Sequence, residues 1–214
     1  MYKRQAIGSV ILQTAVNDMG STYVAAVSAG SKICMFMCCP FDAMGSTMAT
    51  YGGQNVGAKR LDRVDQGLKA CIKMGIIYAL VALAFSIVFG KQLALLFVKK
   101  EQIELIGYIY EFVVINAAFY IFLALVNIVR FMIQGLGYST FAILAGICEM
   151  IARSVAGFVL VPHFGFICVS LGSPLAWVCA DLFLIPAYLW VMKQLRRKFG
   201  ENKISRAKSA TATI

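Results

Sequence analysis

The chain has 214 residues, 60% of them hydrophobic and 14% charged, with a formal net charge of +10. A soluble domain typically carries about 25% charged residues, so this composition excludes an ordinary water-soluble globule. It also argues against nucleic-acid binding: the basic residues flank apolar runs, and no aromatic-basic platform for bases accompanies them.

Six apolar stretches predict helices at 6–17, 22–51, 70–90, 105–133, 139–161 and 168–192. A bilayer core is about 30 Å thick and takes about 20 apolar residues per helix. The expected fold is therefore all-α, a six-helix transmembrane bundle over 6–193, followed by a basic, polar cytoplasmic tail over 194–214 that is expected to be disordered after Lys198. The first segment is too short to span, reaching only about 18 Å at about 1.5 Å per residue. Met1-Tyr2-Lys3-Arg4-Gln5 stands abruptly before it, and Asn17-Asp18-Met19-Gly20 lacks the small-residue pattern of a signal-peptide cleavage site. Residues 1–5 thus read as a truncated or artefactual start, and the first helix as the remainder of a longer one.

The second segment carries Lys32 and Asp42 on either side of Pro40. They are about 15 Å apart along the axis and cannot pair within one straight helix. Pro40 is expected to kink the helix and free the carbonyl of Phe36. The segment closes on Gln54, Asn55 and Gly57, read as a cap or hinge, with Gly57 suited to a left-handed C-cap. The third segment has no charge from Met74 to Gly90 and is expected at the periphery, facing lipid. In the fourth, Asn116, Tyr120 and Asn127 follow helical spacing as one stripe, either bonding neighbouring helices or lining a wet cavity. Glu111 and Arg130 lie nearer its ends, where long side chains snorkel toward water.

Charge inside a membrane costs about 2.5–3.5 kcal/mol per residue at a helix centre, so the charges of the last two segments are the candidate functional residues. Glu149 and Arg153 stand four apart on one face with Ala142, Gly146 and Ala156. They form either an internal salt bridge or a cavity charge that acts in transport. Asp181 shares a face with Trp177, Leu184 and Tyr188 and has no partner at helical spacing. It is protonated, paired across helices with Arg153 as candidate, or part of an ion path.

The seven cysteines lack paired metal-site spacing, and His163 is alone beside Pro162 in a loop. No metal, cofactor or enzyme activity is expected. Lys59, Arg60, Arg63 and Lys69, then Arg130, then Lys193 and the basic tail all fall on one side if each helix crosses once. That side should be cytoplasmic, with the C-terminus inside a multi-pass cell-membrane protein.

The order of motifs resembles the multidrug and toxic compound extrusion (MATE) family of antiporters. The carrying residues are Asn17-Asp18-Met19-Gly20-Ser21 before Ala25-Ala26, then Gly45-Ser46-Thr47-Met48-Ala49-Thr50-Tyr51-Gly52-Gly53-Gln54-Asn55-Val56-Gly57-Ala58-Lys59 with Arg63. Gln134-Gly135-Leu136-Gly137, the Glu149 and Arg153 pair, Gly165 and Ala176-Trp177 follow. The resemblance implies the C-terminal lobe of a twelve-helix, two-lobe transporter, lacking an N-terminal six-helix lobe as its partner. It further implies export of cationic amphipathic small molecules, coupled to Na+ or H+ and without a cofactor. The acidic residue that some branches carry in the seventh helix, and the aspartate others carry in the tenth, have no counterpart at Gln5, Asn116 or Asn127. Asp181, Glu149, Arg153, Asp42 and Lys32 are the expected ion-coupling or cavity residues, with Asn116, Tyr120, Asn127 and Trp177 lining the cavity. The alternatives are a flippase of lipid-linked oligosaccharides from the same superfamily, which would favour a more basic cavity, and an inactive truncated product.

Overall fold

The computed structural model describes the backbone of residues 13–14, 16–17 and 19–211, and side chains to residue 200 except that of residue 164. Most of the expected first helix, and Gln5, lie outside the described residues. The rest is helical: α1 Ser21–Gly57, α2 Leu61–Ala94, α3 Ile103–Ala118, α4 Tyr120–Gly135, α5 Ser139–Val155, a π-helical turn Ala156–Leu160, α6 Val161–Phe164 and α7 Phe166–Thr211. Among these, four helical stretches are long and apolar enough to cross a membrane, and α3 with α4 makes a fifth if the bent pair is one span.

Three helices run longer than the apolar pattern predicted, because their polar ends continue the backbone hydrogen bonding beyond the hydrocarbon-length core. The tail is the largest such correction: α7 stays helical to Thr211 where disorder was expected after Lys198. Its Lys, Arg, Ala and Glu are good helix formers, and they alternate with weaker ones such as Gly200, Asn202 and Ser205 without a proline to stop the helix.

The fourth segment corrects in the other direction. It is two helices, bent by 51° at Phe119. Neither Pro nor Gly stands there. Instead Asn116 Nδ2 donates to the Phe112 carbonyl four residues back, at 2.8 Å. The same amide reaches the Ser170 carbonyl of α7 at 3.3 Å, so the break is held by a neighbour.

Close packing rests on glycines of α1. A Cβ on Gly30 would lie 2.6 Å from Phe112 Cδ1, on Gly45 2.6 Å from Phe131 Cδ2, and on Gly52 2.6 Å from Met132 Sδ. A Cβ on Gly135 would strike the backbone of Ala49. Small residues let helix backbones approach where lipid supplies no hydrophobic drive, and α1 accordingly packs most extensively on α4. Around this contact lies the main core, with Phe41, Tyr120, Ile128, Met132, Ile133 and Leu184 fully buried. Helix α2 is peripheral, as expected: Ile77, Val81, Phe85 and Val88 are all exposed on it.

Helix α1 passes through Pro40 without interruption. The Tyr78 hydroxyl of α2 donates to the Met37 carbonyl at 2.9 Å, supplying a donor next to the place where the proline removes one. The C-terminus of α1 is a Schellman end. Lys59 N–H donates to the Val56 carbonyl at 2.9 Å and Arg60 N–H to the Asn55 carbonyl at 2.8 Å. The left-handed residue is Lys59, at φ 57°, and not Gly57 as expected. Helix α4 closes in the same way, there with glycine in the left-handed position: Gly137 has φ 91°.

Candidate functional site

Three helices bring their charges to one buried centre. Glu149 of α5 accepts from Arg130 Nη2 of α4 in a tight ion pair, and its other oxygen faces Arg153 Nη2 at 3.6 Å. Glu149 is 1% exposed, Arg130 4% and Arg153 9%. The predicted pair of Glu149 and Arg153 is therefore present, but Arg130 is the nearer partner. Arg130 turns into the bundle to meet this carboxylate, which corrects the expectation that it snorkels outward. Ala142, Ala145 and Ala156 are buried beside the centre, letting α7 come close. A Cβ on Gly146 would meet open space, so that residue plays no part in the approach.

Asp181 of α7 completes the centre without joining its hydrogen bonds. It is 4% exposed, and both carboxylate oxygens are buried with no hydrogen-bond partner among the described residues. Arg130 is the cation whose field reaches it. Of the alternatives open for it, pairing with Arg153 does not occur: Arg153 faces Glu149 instead. The Nε atoms of Arg130 and Arg153 are likewise buried and unpartnered. A buried carboxylate with nothing bonded to it is an unsaturated acceptor, able to hold a proton or a small cation.

The polar residues expected as a cavity stripe separate. Asn116 is 3% exposed and bonded at the α3–α7 contact, so it joins helices and lines no cavity. Tyr120 is fully buried, edge-on to Phe41 at 5.6 Å and tilted against Trp177 at 6.3 Å. Trp177, 8% exposed, is likewise core. Asn127 takes part in a second polar contact that spacing along the chain could not reveal: its Nδ2 donates to Asp42 Oδ1 at 3.1 Å. Asp42 lies exposed on α1 in a row with Ser46, Thr47 and Thr50. These hydroxyls bond to carbonyls of their own helix.

Lys32 is exposed and its Nζ stands 5.9 Å from the Phe97 ring, away from the buried centre. Nearby, Phe36, Met37, Tyr78, Phe85 and Phe97 line an apolar recess of about 440 Å3 between α1 and α2. Gln54, Asn55 and Gly57 lie at the α1 end: Asn55 Nδ2 donates to the Tyr51 carbonyl at 2.8 Å, and the Tyr51 hydroxyl to the Arg63 carbonyl of α2 at 3.0 Å. They fasten the α1–α2 turn. All cysteines among the described residues are free, and no group there gathers three metal-ligating side chains.

A family model, MatE, matches residues 4–159. No curated protein matches the chain. Solved structures share the fold. An outward-facing multidrug resistance MATE family transporter of the MOP superfamily is 19% identical, with a TM-score of 0.78 over 91% of this chain and 44% of that one. The inward-facing conformation of such a transporter aligns with a TM-score of 0.74 at 16% identity, over 85% of this chain and 41% of that one. A MOP superfamily transporter from Pyrococcus furiosus, described as having a binding pocket of reverse polarity that suggests a different function, gives 0.70 at 17% identity, over 86% and 40%. The chain spans 40% to 44% of the length of these solved structures.

Proposed function

Because the chain belongs to the MatE family of membrane transporters, we propose that it serves as one six-helix lobe of a cation-coupled exporter of amphipathic organic cations. The observation that carries this reading is Asp181, a buried carboxylate with both oxygens unpartnered beside Arg130, Glu149 and Arg153. A proton or Na+ arriving there changes the charge of the centre. Such binding shifts a transporter between inward- and outward-open states only if the two states bind the ion differently. Helices α4, α5 and α7 supply that means, since each contributes a charge and a small displacement among them alters how Arg130 is shared between Glu149 and Asp181.

The Asp42–Asn127 contact and the hydroxyl row on α1 are the accessible polar surface of this lobe. Polar residues at membrane depth face protein or water and not lipid. In this reading they face a cleft shared with the N-terminal six-helix lobe, and that cleft receives the cationic substrate. Lys32, a cation at the edge of an apolar recess, is no longer among the coupling residues. The chain lies in the cytoplasmic membrane with its basic turns and C-terminus inside, because Lys59, Arg60, Arg63 and the basic residues from Lys193 onward cluster at one end of the bundle.

The test is ethidium efflux from cells producing this chain together with a complementing N-terminal lobe. We expect Asp181→Asn to abolish efflux at equal membrane abundance. Unchanged drug resistance in that variant overturns the role of Asp181. Efflux by the chain alone, as a monomer, overturns the two-lobe reading. Movement of a lipid-linked oligosaccharide in place of ethidium turns the assignment to a flippase.

A further inference from the structure

At the end of the bundle that carries the α1–α2 turn, α2 and α7 face each other across a groove of about 540 Å3. Asp65, Tyr188, Met192, Lys193, Arg196 and Arg197 line it. Asp65 is already committed. The Tyr188 hydroxyl donates to its Oδ1 at 2.8 Å and Arg196 Nη2 to its Oδ2 at 2.5 Å. That carboxylate therefore draws α2 onto α7 and answers Arg196. Lys193 and Arg197 are exposed, stand four residues apart on one face, and make no ion pair among the described residues.

The surroundings fix the depth of this groove in a membrane. Trp190, 47% exposed, stands edge-on to Tyr138 at 6.2 Å, and Tyr138 sits in the turn joining α4 to α5. Leu189 beside it is 63% exposed. Exposed tryptophan and tyrosine gather where hydrocarbon meets headgroups. Arg197 lies seven residues beyond Trp190, about 10 Å along the helix, on the order of the headgroup layer's thickness. Apolar side chains thus stand at acyl-chain depth, directly below two uncommitted cations.

We propose that this groove binds the phosphate of an anionic phospholipid, held by Lys193 and Arg197, with its acyl chains lying along Leu189 and Trp190. A basic pocket between helices at a membrane surface has the chemistry for such a headgroup, and each basic residue near an anionic surface strengthens binding about fivefold.

The experiment reads Trp190 fluorescence from the full chain in vesicles doped with brominated phosphatidylglycerol or, at equal mole fraction, brominated phosphatidylcholine. The Trp190→Phe variant supplies the background from the buried Trp177. Stronger quenching by the anionic lipid is expected, with a preference of roughly tenfold to thirtyfold for two cations. The Lys193→Gln, Arg197→Gln double variant should bring the ratio to near one. The Lys193→Glu, Arg197→Glu variant should invert it. Equal quenching by both lipids, or a preference that survives both double variants, overturns the site. Relief of the quenching by excess inorganic phosphate overturns the lipid and leaves a soluble phosphate as its occupant.

Discussion

Two clusters of charge hold this molecule together, and they obey different physics. In the centre, Arg130, Glu149, Arg153 and Asp181 are each at most 9% exposed. At the end of the bundle, the Asp65–Arg196 pair has side chains 27% and 59% exposed. The outer pair is geometrically good, at 2.5 Å and with a tyrosine donor added. Water and salt nevertheless screen it, so its contribution to stability is small. The inner cluster is imperfect, with unpartnered atoms on Asp181, Arg130 and Arg153. Arg130, Glu149 and Arg153 depend on one another because none can be hydrated, while Asp181 stands beside them with no donor of its own. Bond quality therefore ranks these clusters in the wrong order, and burial ranks them correctly.

The largest expected effect follows from Glu149→Gln, which leaves two arginines buried with no carboxylate bonded to them. It should cost about 3–5 kcal/mol, as for any broken buried pair, seen as a lowered unfolding temperature of the full chain in detergent. A change below about 1 kcal/mol, the range of a surface pair, would erase the distinction between the clusters. Asp181→Leu should move stability the other way. Removing an acceptor that has no donor relieves a desolvation penalty of about 1–3 kcal/mol, and the same variant should lose efflux. Strong destabilisation by Asp181→Leu would instead make Asp181 a structural member of the centre. Arg196→Gln should cost at most about 1 kcal/mol, measured in the same unfolding assay. The smallest effect sharpens the contrast further. In 1 M NaCl the screening length falls to about 3 Å, so the deficit of Arg196→Gln should vanish while that of Glu149→Gln persists.

The parts of this architecture that the sequence disclosed are those written in local spacing. Apolar runs located the spans, the uncharged stretch from Met74 to Gly90 marked the peripheral helix, and the four-residue step from Glu149 to Arg153 announced a shared face. The partners that matter most are written across helices. Arg130 lies 19 residues from Glu149, and Asp42 lies 85 from Asn127. No periodicity within one helix reports either distance. The bend at Phe119 was hidden for a different reason. The sequence Ile115-Asn116-Ala117-Ala118-Phe119 carries no proline or glycine to flag it, and the bond that holds Asn116 at the break runs to Ser170 on another helix. Gly57 is the obvious left-handed candidate in the sequence, yet the turn falls two residues later, at Lys59. The Schellman hydrogen bonds, set by where α1 ends, choose the position regardless of residue type.

The π-helical turn Ala156–Leu160 follows Arg153 by three residues, and its widened ring closes with Val161 N–H on the Ala156 carbonyl. Ala156 and Val161, five apart, are both buried. In a regular α-helix that spacing would rotate one of them by about 140° away from the other, at 3.6 residues per turn. The surplus residue is thus what allows both halves of this span to press their inner faces on the same neighbour. A deletion of one residue within 156–160 would close the ring to ordinary helical pitch with the flanking faces still aligned, whereas a deletion within 150–152 would turn Arg153 by about 100° relative to its glutamate.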